Sequence, residues 1–174
     1  MLSGPERREK ILTALQDTEK PISASAFAKE FGVSRQIVVG DVALLRASGV
    51  EVIATARGYL IAGINEKKVS KIVVQHTRQE TALELQTIVE NGGEIIDVIV
   101  EHPLYGELTG QLHIENQAEV VDFITEYEKS NASLLSELTS GIHLHTIAYK
   151  EAEDLEKIKA ALKKVGILYE AKEH

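Results

Sequence analysis

The sequence predicts an α+β protein in two parts: a small helical module closed by a hairpin, then an α/β sandwich with helices on a mixed sheet. Three observations predict this. In the first part, apolar residues recur at helical spacing between serine starts and glycine stops. Beyond residue 66, strand-like and helix-like runs alternate. The charge divides at the same place, with eight Lys/Arg against seven Asp/Glu in residues 1–65 and eleven against twenty in residues 66–174. The stretch Gly63-Ile64-Asn65-Glu66-Lys67-Lys68 is short and polar and places the boundary, giving domains 1–65 and 66–174.

Composition removes several function classes. A net charge of −8 excludes nucleic-acid binding through bulk positive charge, though not through a local basic patch. The absence of cysteine excludes disulfide frameworks, thiolate zinc sites and cysteine nucleophiles, so any metal must sit on His, Asp or Glu. With 5% aromatics and no Trp, stacking platforms for single strands are not expected. No apolar run approaches the roughly 20 residues of a membrane span. The first residues carry no apolar signal core, so the expectation is a cytoplasmic protein without membrane contact.

The first helix opens at or near Pro5, aligns Ile11, Leu12 and Leu15, and is broken by Pro21. Ser23 or Ser25 can cap a second, short helix through Ala26, Phe27, Ala28 and Phe31, which Gly32 ends. Ser34 caps a third helix reaching about Ser48, with Ile37, Val38, Val42, Leu44 and Leu45 as its apolar face. Gly40 lies inside it, at a cost of about 1 kcal/mol relative to alanine. Residues 50–54 and 59–61 read as two strands about the turn 55–58.

A short helix, a glycine turn and a longer capped helix make a helix-turn-helix, and the hairpin makes it winged. Ser34, Arg35 and Gln36 stand at the start of the third helix, where free amides and the dipole favour phosphate. Arginine can pair with guanine and glutamine with adenine. Arg57 at the wing tip can reach phosphate or the minor groove. The alternative is a three-helix module that binds protein or only dimerises. The runs Ala26-Phe27-Ala28-Lys29-Glu30-Phe31-Gly32-Val33-Ser34-Arg35-Gln36, Asp41-Val42-Ala43-Leu44-Leu45-Arg46 and Arg57-Gly58-Tyr59 resemble the winged helix of bacterial biotin-repressor-type regulators. The resemblance implies double-stranded operator DNA as partner, with Arg46 and Tyr59 joining Ser34, Arg35, Gln36 and Arg57 at the interface. It departs at Gly40, where related helices usually carry a larger polar or basic residue.

In the second part, residues 69–75 form a strand ending at His76, and Thr77 caps a helix over 78–91 that Asn91-Gly92-Gly93 stops. Its apolar residues are Ala82, Leu83, Leu85, Ile88 and Val89. Strands over 94–101 and 107–114 flank the loop His102-Pro103-Leu104-Tyr105-Gly106. A helix over 117–129 turns Val120, Val121, Ile124 and Tyr127 inward. A strand over 143–149, a helix over 152–165 and a last strand over 166–169 follow. The acids opening the 152–165 helix and the lysines closing it suit its dipole and need no partner. Asn131-Ala132-Ser133 matches a glycosylation acceptor without meaning in a cytoplasmic protein, and His174 is terminal.

The histidines carry the chemistry. His143 and His145 stand two apart on a strand and face one way. Two imidazoles together are costly in an apolar core, because four ring nitrogens need partners; a metal satisfies one on each. His76 ends another strand, and the helix after it brings Glu80 and Glu84 to one face. Glu84 could complete a set of three histidines and one carboxylate; solvated or hydrogen-bonded histidines are the alternative. His113 matches no pattern and reads as structural or exposed.

His76-Thr77, Glu101-His102-Pro103-Leu104-Tyr105-Gly106 and His143-Leu144-His145-Thr146 resemble the three-histidine regulatory domain found behind a winged helix in niacin-responsive repressors. The likeness spans nearly the whole chain. It implies a homodimeric transcriptional repressor of NAD biosynthesis and niacin uptake genes, with nicotinic acid as co-repressor. It also implies a divalent metal held by His76, Glu84, His143 and His145. That donor set suits zinc or nickel better than magnesium or calcium. His102 and Tyr105 are ligand-binding candidates on the intervening loop, unless His102-Pro103 simply makes a turn. A regulator sensing the metal itself or another small carboxylate is the second reading. A metal-dependent enzyme is the third, disfavoured by the lack of a general base or nucleophile beside the histidines.

Overall fold

Serine hydroxyls start each of the first three helices. Ser3 accepts from the Glu6 amide and opens α1 (Gly4–Gln16), with the Glu6 carboxylate returning to the Ser3 amide as a capping box. Ser23 accepts from Ala26 N and opens α2 (Ala24–Phe31), which Gly32 ends at φ +67. Ser34 accepts from Ile37 N at 3.2 Å and opens α3 (Arg35–Ala47). These caps satisfy amides that a helix leaves without partners. The antiparallel hairpin β1 (Val52–Thr55) and β2 (Gly58–Ile61) follows.

The computed structural model describes residues 1–61, 67–130 and 134–170, except the side chains of Ser136 and Leu138. His174, the Asn131-Ala132-Ser133 sequon and most of the Gly63–Lys68 stretch lie outside the described residues. The chain divides into two compact units, Met1–Asn65 and Glu66–His174. No helix among the described residues is long and apolar enough to cross a membrane.

The core of the first unit joins Ile11 and Leu15 of α1, Phe27 of α2, Val38, Val42 and Leu45 of α3, and Val52 of β1. Ile37 and Leu44, expected on the apolar face, are exposed. The buried stripe of α3 runs through Val38, Val42 and Leu45, and those two residues fall outside it. Gly58 is required where it stands: a Cβ there would lie 2.5 Å from the Ile22 carbonyl carbon, where β2 bonds back to residue 22.

The second unit runs β3 (Lys68–Gln75), a 3-10 turn (Arg78–Glu80), α4 (Thr81–Glu90), β4 (Glu94–His102), β5 (Gly106–Ile114), α5 (Gln117–Lys129), a second 3-10 turn (Leu135–Thr139), β6 (Ile142–Tyr149) and α6 (Ala152–Lys164). The sheet order is β3-β6-β4-β5. Every pairing among these strands is antiparallel, where the sequence reading expected a mixed sheet. The crossover through α4 carries the chain past one strand position. β6 fills that position and runs opposite to both neighbours.

Sheet residues Ile72, Val74, Ile95 and Ile147 meet Leu85 and Ile88 of α4, Val120 of α5, and Ile158 and Leu162 of α6 in one core. Val121 and Leu83, expected inward, are exposed, because each lies beside its helix's buried stripe. The expected last strand over 166–169 is only the single bridge Val74↔Leu168. Its residues are still engaged with the end of α6, where Ile167 N and Leu168 N both bond Leu162 O, and so meet β3 too briefly for a strand.

Candidate functional site

Period-two geometry on β6 sends His143, His145 and Ile147 to the helix-covered face. Ile147 joins the core, and the two histidines stop short of it beside α4. His76 follows the end of β3, which pairs with β6 through Val74↔His143. Glu84, in the first turn of α4, points down onto the group. His76, Glu84, His143 and His145 are buried, with Glu84 only 1% exposed.

Each imidazole is anchored through Nδ1. His76 Nδ1 bonds Thr77 O at 2.6 Å, His143 Nδ1 bonds Gly141 O at 3.0 Å, and His145 Nδ1 bonds Asp97 O at 2.7 Å. A carbonyl can only accept, so each Nδ1 carries a proton, and in the neutral ring Nε2 keeps a lone pair. All three Nε2 atoms turn inward. His76 Nε2 meets Glu84 Oε2, and His145 Nε2 meets Glu84 Oε1. His143 Nε2 lies 3.4 Å from Glu84 Oε2 and 3.1 Å from His145 Nε2. Glu84 Oε1 is buried without a hydrogen-bond donor. The ligand atoms of His76, Glu84 and His143 all lie within 4.8 Å of one another, which makes a possible metal site, and His145 adjoins it.

The electrostatics agree with the geometry. Burial pushes the Glu84 carboxyl up, but His145 and His143 together outweigh it and hold Glu84 well below the usual carboxylate range. Burial pulls His143 down despite Glu84. Burial also lowers His145, but there the Glu84 charge prevails and the net shift is upward. The site is a buried carboxylate ringed by three Nε2 atoms, so positive charge, on His145 or on a bound cation, is what it favours.

Two features were not legible as site residues. Asp97 interrupts the apolar run of β4 at a bulge. Its carboxylate accepts from Thr146 N at 2.9 Å and Thr146 Oγ1 at 3.0 Å, fixing the segment whose carbonyl holds His145. An acid inside Ile95-Ile96-Asp97-Val98-Ile99 was the available signal. Gly141, at φ +85, gives its carbonyl to His143, and a Cβ on it would stand 2.3 Å from His76 O. Apolar walls from Leu85, Val98, Leu112, Phe123 and Leu135 adjoin the histidines around a small cavity of about 40 Å³.

The other candidates fall elsewhere. Glu80 is engaged with Thr77 N and Thr77 Oγ1 as a cap. His102 Nδ1 accepts from Leu104 N and Tyr105 N, which closes the β4–β5 turn. Tyr105 is exposed, and neither residue lines the histidine cavity. His113 sits half-buried on β5 with Nε2 against Gln111 Oε1. In the first unit, Arg35 and Gln36 are exposed on the first turn of α3 and Arg46 on its last. Arg57 occupies the β1–β2 turn, while the Tyr59 ring packs on the core and its backbone pairs with Ile22.

Comparison with known families decides the assignment. The family model described as the 3H domain matches residues 69–171, and one described as an HTH domain matches residues 7–60. The chain belongs to the 3H domain family. It is 42% identical over 166 residues to the probable transcription repressor NiaR of Thermotoga maritima, covering 95% of this chain and 94% of that protein. It is 37% identical over 171 residues to the transcription repressor NadR of Bacillus subtilis, covering 96% and 95%. This 3H-domain protein is a transcription repressor that binds DNA through its helix-turn-helix, and not an enzyme.

Proposed function

We propose that this repressor controls genes of NAD biosynthesis and niacin uptake with nicotinic acid as co-repressor. It acts as a homodimer on operator DNA, and His76, Glu84, His143 and His145 hold a divalent transition metal. The observation that carries the reading is the convergence of three Nε2 atoms on one buried carboxylate. Three imidazoles and a carboxylate, each backed by a second hydrogen bond or a buried position, fit zinc or nickel. When bound, such an ion supplies positive charge and an open position to a small aromatic acid.

The chain's own residues do the rest. Thr77 O, Gly141 O and Asp97 O hold the imidazoles in the tautomer that leaves Nε2 free. Leu85, Val98, Leu112 and Phe123 offer apolar walls to a flat ring and exclude water. In the DNA-binding unit, Ser34, Arg35 and Gln36 at the start of α3 present amides and side chains to the duplex, with Arg46 and Arg57 as phosphate contacts. Dimerisation places two such helices about one turn of DNA apart, or a multiple of it.

Calorimetric titration of nicotinic acid before and after chelation tests the reading. Binding is expected to vanish on chelation, return with zinc or nickel, and fail in His143→Ala. Unchanged affinity in that variant overturns the metal-assisted site. Arg35→Ala is expected to weaken operator binding and leave nicotinic acid binding intact.

A further inference from the structure

Beside the histidines lies a second cavity that shares His76 with the first. Its lining is polar and includes Thr77, Arg78, Glu80 and Glu137. Arg78 stands two residues beyond His76, at the start of the 3-10 turn that leads into α4. Its guanidinium lies over the Tyr127 ring, 4.8 Å from the centroid. Its Nε is 3.8 Å from Glu137 Oε1, and the Tyr127 hydroxyl donates to the same oxygen at 3.1 Å. One carboxylate oxygen is therefore met by a phenol and by a guanidinium seated on an aromatic face, a donor set suited to carboxylates.

Glu137 differs from the other acids around these cavities. Glu80 is committed to capping Thr77, and Glu84 to the histidines. Glu137 is held by Tyr127 and Arg78 on an open surface, where Arg78 is 56% and Glu137 30% exposed. Ion pairs so exposed are weak and exchange readily.

We propose that Arg78 and Tyr127 form a carboxylate-receiving subsite for a small ligand, and that Glu137 fills it as an internal stand-in that the ligand's carboxylate displaces. This rests on the reading that the domain binds nicotinic acid, and adds which residues recognise the acid group. Glu137 shares its 3-10 turn with Leu135, which lines the histidine cavity. Exchange of carboxylates at Arg78 thus acts on a wall of that cavity. An uncharged amide offers the guanidinium only a neutral carbonyl in place of the Glu137 carboxylate, so the subsite favours acid over amide.

The test follows the Arg78 Nε–Hε signal of the full-length protein by NMR, assigned by its loss in Arg78→Lys. The probes are nicotinate, benzoate (a carboxylate without the ring nitrogen) and nicotinamide (the ring nitrogen without a carboxylate). Both carboxylates are expected to move the signal, and nicotinamide to leave it in place. Glu137→Gln is expected to tighten both carboxylates about fivefold and Arg78→Lys to weaken nicotinate about tenfold, the scale of one charge-assisted hydrogen bond. If nicotinate gives calorimetric heat but neither carboxylate moves the signal, the subsite is overturned and the co-repressor reading stands. If benzoate moves it and nicotinate binds no better, the subsite stands and the co-repressor reading falls. Silence in both measurements overturns both.

Discussion

Among the described residues each unit buries one carboxylate of a helix, and the two are satisfied in opposite ways. Asp41 of α3 is 4% exposed and Glu84 of α4 is 1% exposed. Asp41 takes Arg7 Nε at 2.8 Å, Arg7 Nη2 at 3.5 Å and Arg8 Nη1 at 3.4 Å, tying the DNA-reading helix to α1. Its partners are permanently charged, so the group is complete as it folds. Glu84 faces the Nε2 atoms of three imidazoles that the backbone holds through Nδ1, and its Oε1 has no hydrogen-bond partner. A buried acid with arginines is a strut, whereas a buried acid with backbone-anchored histidines is a candidate receptor for a cation.

That contrast is open to attack at several points. The largest effect is expected at Glu84. Zinc or nickel at about 1,000 times its dissociation constant should stabilise the protein by about 4 kcal/mol, and Glu84→Gln should abolish this. Thermal unfolding with and without metal reads it, and equal melting temperatures would reduce the cluster to a packing feature. Next, Asp41→Asn should destabilise the first unit by about 2–3 kcal/mol, below a fully buried pair because Arg7 and Arg8 retain some solvent. The same variant should leave metal binding unchanged, and a metal response in it would erase the distinction between strut and receptor.

A smaller change sharpens the receptor side. Asp97→Ala loses both bonds to Thr146 but keeps the carbonyl that anchors His145, so metal affinity should fall about tenfold. A loss as complete as that of Glu84→Gln would make Asp97 a ligand in its own right. The smallest effect is expected beside Asp41. A Cβ on Gly40 meets nothing within 4 Å, so Gly40→Ala should stabilise α3 by about 1 kcal/mol in a denaturant titration. Destabilisation there would mean that α3 is held by more than its buried stripe and its arginine strut.

Local chemistry was legible in the sequence and long-range pairing was not. Ser23, Ser34 and Gly32 act within one turn of chain, so their residues announce the helices they bound. His143 and His145 share a face by strand period alone. The position of β6 between β3 and β4 depends on contacts across the unit, so no local pattern marked the sheet as antiparallel. Helical spacing suggested that Ile37, Leu44, Leu83 and Val121 were inward, but a stripe narrower than the apolar set leaves them at the surface. His102-Pro103 could be read as ligand contact or as turn; the structure gives His102 Nδ1 two turn amides. Asp97 carries no such signal, because a single acid in a strand has no period.

β6 is the last of the long strands to be synthesised, yet it occupies the middle of the sheet and brings two of the four clustered residues. While the chain is incomplete, β3 and β4 have no partner between them, and Glu84 and His76 stand without His143 and His145. Closing the sheet over such sequence distances is slow compared with forming the local helices of the first unit. The histidine cluster therefore comes together only when β6 joins the sheet. A chain stalled before β6 would carry the complete helix-turn-helix and only half of the cluster, so the two units differ in how early each has all of its parts.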